Sequence, residues 1–322
     1  MKRKLIALAL CMAMTASVFT GCTDSDTISE ESASDESQSE DSSFSYPFTL
    51  TDAYGNEVTI EEEPETVVSV SPALTEIIYD LGGEDKLIGR SDYCDYPEEV
   101  YNIQSVGPID LPDTELIVSL DPDVVLASSI FSEEAYDALV NAGITVVIIK
   151  DEDSLDGMFT YVQTTADVIG LHEEGEDLVE VMEEQLAQIE GEVNDTIAGD
   201  DITVYYCMGF GEYGDYTAGG DTFINGIIEA AGCVNVAADV QGWSYSAEEL
   251  LEADPYIIIV PSWGYDDFIA TEPYTELSAV QNGRVLEVDN NIFERVGPRN
   301  IDAIRTLYEF ALDANAVAHA GA

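Results

Sequence analysis

The chain has 322 residues, 66 of them Asp or Glu against 10 Lys or Arg, for a formal net charge of −56 at pH 7. Such a surface repels nucleic acid and anionic lipid, and its plain reading is a solvated exterior. Only two histidines occur, His172 and His319, which disfavours a Ser-His-Asp site or a multi-histidine metal centre, because histidine is the usual general base and the commonest transition-metal ligand.

The N-terminus reads as an export signal over residues 1–21: Lys2, Arg3 and Lys4, an apolar run from Leu5 to about Val18, then small residues before Cys22. That run is short for a bilayer span. Phe19-Thr20-Gly21-Cys22 resembles a bacterial lipobox, in which the cysteine is lipidated. Leucine is usual where Phe19 stands, so cleavage without lipidation stays open. Residues 22–45 are nearly all Ser, Thr, Asp and Glu, which cannot bury enough apolar surface to offset ordering entropy, and read as a flexible tether. Beyond the signal the basic residues are Lys86, Arg90, Lys150, Arg284, Arg295, Arg299 and Arg305, against all of the carboxylates.

From residue 46 the pattern is globular. Residues 51–60 suggest a hairpin with its turn at Tyr54 to Asn56. Thr66 to Val70 reads as a buried strand, and Ser71-Pro72 opens a helix that stops at Gly82-Gly83. A strand near Leu87 to Gly89, a helix from about Thr114, a strand over 124–127, a helix over 133–142 and a strand over 145–149 follow. This alternation predicts an α/β lobe over 46–153 with a mainly parallel sheet.

Across 154–198 strand signals cease, and Leu178, Met182, Leu186, Ile189 and Val193 recur at helical spacing. They predict one long amphipathic connector helix, roughly 30 to 37 Å in length. Alternation resumes over 199–313: strand 202–208, helices 222–231 and 247–253, strands 256–260 and 284–288, and a closing helix 300–312, with 314–322 as a tail. The fold class is therefore α/β, two Rossmann-like lobes bridged by a single long α-helix, with a cleft between them.

Several motifs carry less than they suggest. Gly209-Phe210-Gly211-Glu212-Tyr213-Gly214 matches a dinucleotide fingerprint formally, but Asp215 to Asp221 intervene before the next helix, so a glycine-rich loop lining a cleft fits better. The acidic run from Asp151 to Gly157 lacks calcium-loop spacing and reads as the solvated start of a helix. Beyond Cys11 and Cys22, the cysteines Cys94, Cys207 and Cys233 form no Cys-x-x-Cys pair. A Cys207–Cys233 bridge and unpaired buried thiols both stay open.

Two segments 133 residues apart are alike. Glu115 and Glu248 each stand seven residues before a proline, Pro122 and Pro255, and each proline is followed by a β-branched run. A glutamate near a helix N-terminus is favoured by the macrodipole and stays charged in solvent, although helix-proline-strand is also ordinary α/β grammar.

Taken with 51–59, 66–77 (ending Ser71-Pro72-Ala73-Leu74-Thr75-Glu76-Ile77), Gly89 to Pro97, Thr217 to Gly220, Gly232 to Ala237 and Phe293 to Arg299, the chain resembles the cobalamin and iron-siderophore substrate-binding proteins of ABC importers. The resemblance implies two lobes joined by a helix, a metal chelate held in the cleft, and no resident cofactor, bound metal ion or enzymatic activity. It implies that Glu115 and Glu248 dock on the two subunits of a permease dimer. It places Tyr93 and, one residue out of step, Trp243 against the ligand, and Arg295 at the cleft rim. Ile109 stands about where the vitamin B12-binding relative has a tryptophan, which weakens the corrin case.

Tyr245 and Trp263 join Trp243 as flat aromatic candidates in the second lobe. The cluster of Arg295, Arg299 and Arg305 suggests either an anionic ligand or an internal salt bridge. Siderophore and cobalamin stand nearly level; haem, with Tyr93 as axial ligand, follows. A carboxylate-dependent hydrolase on this scaffold and a surface adhesion protein are the competing classes. The expected setting is the extracytoplasmic face of the cell membrane, as a monomer tethered through Cys22 alone.

Overall fold

The computed structural model describes residues 44–211 and 214–320, excepting the side chains of 317–320. The signal, Cys11, Cys22 and the tether to residue 43 lie outside the described residues, as does the His319 side chain. No described helix is long and apolar enough to cross a membrane.

Strands β1 (Phe48–Thr51) and β2 (Glu57–Ile60) form the antiparallel hairpin. Its turn closes because Asp52 Oδ1 accepts the backbone N–H groups of Tyr54 and Asn56 at 2.9 and 2.8 Å. Gly55, at φ 83°, supplies the left-handed residue the turn needs.

The first lobe alternates β3 (Val67–Ser69), α1 (Pro72–Asp80), β4 (Leu87–Arg90), α2 (Thr114–Leu120), β5 (Val124–Ala127), α3 (Glu133–Asn141) and β6 (Val146–Ile148). Its strands are parallel in the order β4-β3-β5-β6. Helices α4 (Leu155–Ile169) and α5 (His172–Thr196) follow. The second lobe contains β7 (Thr203–Tyr206), α6 (Phe223–Ala230), β8 (Val234–Asn235), α7 (Ala247–Ala253), β9 (Ile257–Pro261), α8 (Tyr265–Ala270), α9 (Ser278–Gln281), β10 (Val285–Val288), α10 (Asn291–Glu294) and α11 (Arg299–Ala320). Its sheet runs β8-β7-β9-β10, also parallel. Counted within each lobe, both sheets have the order 2-1-3-4, so the two lobes repeat one topology. Strand β8 and the short helices α8 to α10 are too brief to carry a readable period, and the sequence did not announce them.

Strands β3, β5, β6 and β9 are buried throughout and β7 nearly so, and their alternate residues divide between separate cores. In the first sheet Val68, Val125 and Val146 face an outer core with Ile117 of α2 and Leu139 of α3. Val67, Val124 and Val147 face a central core with Leu74 of α1 and Val162 of α4. In the second sheet Tyr205 and Ile258 pack outward with Leu250 and Phe268, whereas Val204, Ile257 and Ile259 join the same central core with Ile227 of α6 and Leu307 of α11. The molecule has an outer core on each lobe and a third that both sheets share, because the helices between the sheets are apolar towards each.

The expected long connector helix is present as α5, and a second helix, α4, precedes it. Gly170 at φ 79° caps α4, and α5 folds back against it, with Gly175 so close to Ala166 that a β-carbon there would lie 2.4 Å from the Ala166 methyl. Helix α5 has 25 residues and buries Met182, Ile189 and Val193, with Leu178 and Leu186 partly covered. Helix α4 packs on α1 of the first lobe, and α5 on α6 and α11 of the second. The crossing between lobes is thus a helical pair seated in the shared core.

Cys94, Cys207 and Cys233 are buried free thiols. Cys207 belongs to the outer core of the second lobe and Cys233 to the central core, on opposite faces of the sheet, which rules out the bridge. Burial pushes both thiols up to about 12.

Candidate functional site

In an open parallel sheet, ligands gather beyond the carboxyl ends of the strands, near the point where strand order reverses. A cleft of about 760 Å³ lies there, within the range of roughly 300–1,000 Å³ usual for ligand pockets. Ser71 to Ala73 after β3, Ser128 and Ile130 after β5, and Asp151 to Asp153 after β6 line its first-lobe side. Asp221 to Phe223 at the start of α6, Gly242-Trp243, and Glu294 to Val296 line the second.

Of the residues singled out in the sequence, Tyr93, Trp243 and Arg295 line this cleft, as does Ile109. Tyr93 is 58% exposed and Trp243 47%, so each lobe offers an aromatic side chain with uncovered area. Tyr245 and Trp263 do not line it. Tyr245 is only 9% exposed, its ring tilted against Tyr205 in the outer core, and burial raises its phenol pKa. Trp263 is 65% exposed but stands beside Phe210, 6.4 Å between ring centres.

The glycine-rich loop also departs from expectation. Gly209 bridges to Tyr216, and Phe210 packs edge-on to Phe268 and Tyr274, so the described part of the loop braces the second lobe instead of lining the cleft. His172 starts α5, stacked on Phe44 with Nδ1 2.6 Å from Asp167, away from the cleft.

The arginine cluster resolves into an internal network that ties the lobes together. Arg295 Nη1 donates to Glu76 Oε1 and to Asp95 Oδ1, each at 2.6 Å, and Nη2 donates to the Tyr93 carbonyl at 3.3 Å. Arg299 donates to Glu76 Oε2 and Asp289 Oδ2, each at 3.1 Å, and lies 4.1 Å over the ring centre of Tyr96. Arg305 instead pairs with Glu192 at 3.2 Å. Burial pushes the Glu76 carboxyl up, and the two guanidiniums pull it back only in part. Burial opposes the charge on Arg295, yet its bonds to Asp95 and Glu76 raise its pKa overall.

Tyr161, Asp221, Phe223 and Glu294 were missed by sequence reasoning. Tyr161 on α4 is 2% exposed, and burial drives its phenol well above the ordinary range. The available signal was position: Asp221 and Phe223 flank the start of a helix in a parallel lobe, where such folds build sites. Among the described residues no group of three or more His, Cys, Asp or Glu is arranged to hold a metal ion.

Glu115 and Glu248 sit outside the cleft, at equivalent places in the two lobes. Each is an exposed second residue of a seven-residue helix, α2 or α7. Asp113 Oδ1 caps α2 by accepting from Leu116 at 2.9 Å, and Ser246 with Glu249 forms a capping box on α7. Both helices end on an aspartate in the left-handed region, Asp121 at φ 53° and Asp254 at φ 39°. Each precedes the proline that leads into a central strand, which shows that the repeated segment is one motif used twice.

A family model for periplasmic binding proteins matches residues 67–292. An uncharacterized ABC transporter substrate-binding lipoprotein of Bacillus subtilis, YvrC, is 32% identical over 269 residues, covering 82% of this chain and 85% of the relative. A cobalamin-binding protein of Halobacterium salinarum is 31% identical over 275 residues, 81% of this chain and 73% of that one. Among solved structures, the periplasmic heme-binding protein RhuT of Roseiflexus superposes with a TM-score of 0.71 at 25% identity, covering 78% of this chain and 98% of RhuT.

Proposed function

Since this chain belongs to the periplasmic binding protein family, whose members are the substrate-binding components of ABC importers, we propose that it captures a metal chelate, a ferric siderophore or cobalamin, between its lobes and hands it to a permease. The observation that carries the reading is the cleft between two lobes of the same topology, walled by Tyr93 from one and Trp243 from the other. Flat apolar faces suit a macrocycle or an aromatic chelator. The metal would arrive inside its chelate, and the protein's work is binding and release with no covalent step.

Lipidated Cys22 would hold the body at the extracytoplasmic face of the membrane. Glu115 and Glu248 would form the docking contacts: two like lobes present the same exposed carboxylate, which suits a partner of two like subunits. A haem ligand is the second reading, favoured by Tyr93, whose exposed phenol could serve as an axial ligand.

The test is fluorescence titration of the soluble domain with cyanocobalamin, ferric hydroxamates, ferric catecholates and haemin. Saturable quenching of tryptophan emission by at least one is expected. Silence from all four classes would remove the chelate reading.

A further inference from the structure

The chain is acidic everywhere, but the cleft has a charge pattern of its own. Asp151, Glu152, Asp153, Asp221 and Glu294 line it, and Arg295 is its one cationic lining residue among those described. That guanidinium is already committed to Glu76 and Asp95 at 2.6 Å, leaving no free positive group for a ligand. Three of the lining carboxylates are also engaged. Glu152 stands 3.6 Å from Lys150, Asp221 accepts the Gly242 N–H at 2.8 Å, and Glu294 accepts from Tyr206 and Asn290 at 3.1 and 2.8 Å. Asp151 and Asp153 are exposed, and neither is ion-paired among the described residues.

Their place follows from the fold. Strand β6 ends at the cleft, and the chain must turn from it into α4, whose N-cap is Ser154, accepting from Gly157 at 3.1 Å. Carboxylates just ahead of a 15-residue helix are favoured by its dipole. The acidic run read as the solvated start of a helix is that, and its first three residues are also cleft wall.

We propose that Asp151 and Asp153 are specificity-determining residues that make the cleft a charge filter, accepting neutral or cationic chelates and rejecting anionic ones. A concave, low-dielectric wall focuses the field of these groups on whatever enters. A neutral chelate fringed with amide N–H groups, or a cationic one, gains charge-assisted hydrogen bonds there. A polyanionic ferric catecholate, or a macrocycle bearing free carboxylates, meets repulsion with no guanidinium to answer it. This inference rests on the reading of the cleft as a chelate site.

The experiment measures dissociation constants for two pairs of probes whose members differ in charge, the second pair also sharing one macrocycle. One pair is the cationic hydroxamate ferrioxamine B and trianionic ferric enterobactin. The other is cyanocobalamin and its derivative with peripheral propionamides hydrolysed to carboxylates. The less anionic member of a pair is expected to bind at least about tenfold more tightly. Asp151→Asn with Asp153→Asn is expected to close most of that gap, as is high salt. The control, Asp266→Asn with Asp267→Asn on α8, changes net charge by the same amount away from the cleft and is expected to leave the gap intact. Equal binding within both pairs, an unchanged gap in the Asp151/Asp153 variant, or an equal loss in the control would each overturn the filter. If none of the four probes binds the unmodified protein, the chelate reading itself falls, and the filter with it.

Discussion

Arg295 and Glu76, 219 positions apart in the chain, meet at 2.6 Å where the end of α10 in the second lobe comes against α1 of the first. Glu76 is buried and shared with Arg299, so one carboxylate neutralises parts of two guanidiniums, of which Arg295 also lines the cleft. Breaking a buried charged contact costs more than forming it contributes, because the partner stays desolvated.

Replacing Glu76 by Ala removes both acceptor oxygens and leaves Arg295 and Arg299 each short of a partner. Asp95 and Asp289 still reach the arginines, so the expected loss is about 2 kcal/mol of unfolding free energy. Urea denaturation measures it as a lower midpoint at constant slope; an unchanged midpoint would show that the network contributes nothing to stability.

Asp80, one helical turn beyond Glu76, is pushed from its ordinary 3.8 up to about 6 by burial, by the charge of Glu76 and by Asp302, with Arg299 opposing. The folded pKa is raised, so the stability linked to this group is complete below about pH 4 and is lost as pH rises through about 6. Asp80→Asn is therefore expected to raise the melting temperature at pH 7.5 and to match the parent near pH 4. The side chain keeps substantial solvent contact, which limits the gain to under about 1 kcal/mol. A larger gain at pH 4 than at pH 7.5 would contradict the sign.

Tyr93→Ala and Trp243→Ala are each expected to weaken chelate binding by about 1–2 kcal/mol, roughly tenfold. Trp263→Ala and Tyr245→Phe leave affinity unchanged, since neither residue lines the cleft. Isothermal titration of the four variants separates these sets, and a loss at Trp263 comparable to that at Trp243 would redraw the site.

The Glu115→Ala, Glu248→Ala double variant is expected to bind chelate as the parent does and to support much less uptake in cells or proteoliposomes carrying the permease. Both residues are exposed on short capped helices outside the cleft, so folding and binding offer no route for their effect. Normal uptake would disprove the docking role.

Because both sheets face one central core, Ile189→Ala on α5, which empties a fully buried site in it, should cost about 2–5 kcal/mol and lower the stability of both lobes together. Calorimetry is expected to show one cooperative transition moving down in temperature. Two separable transitions, with only one displaced, would mean that the lobes unfold independently.

Sequence by itself determined the order of the longer elements, the parallel alternation and the repeated Glu-to-Pro motif, because period, capping residues and proline act over a few neighbouring positions and need no partner from far along the chain. Thus the segments at 114–120 and 247–253 were legible as helices, and α5 was legible in the spacing of Leu178, Met182, Leu186, Ile189 and Val193. What covers each face was not legible. Tertiary structure alone decided that Tyr245 packs into a core while Trp243 faces the cleft two residues earlier, that α4 breaks from α5 at Gly170, and that Cys207 and Cys233 lie on opposite sides of a sheet. It also decided that Arg295 answers Glu76 and Asp95 and leaves the cleft acidic. The charge of the site depends on which distant groups neutralise one another, and such pairing exists only once the two lobes have closed on their common core.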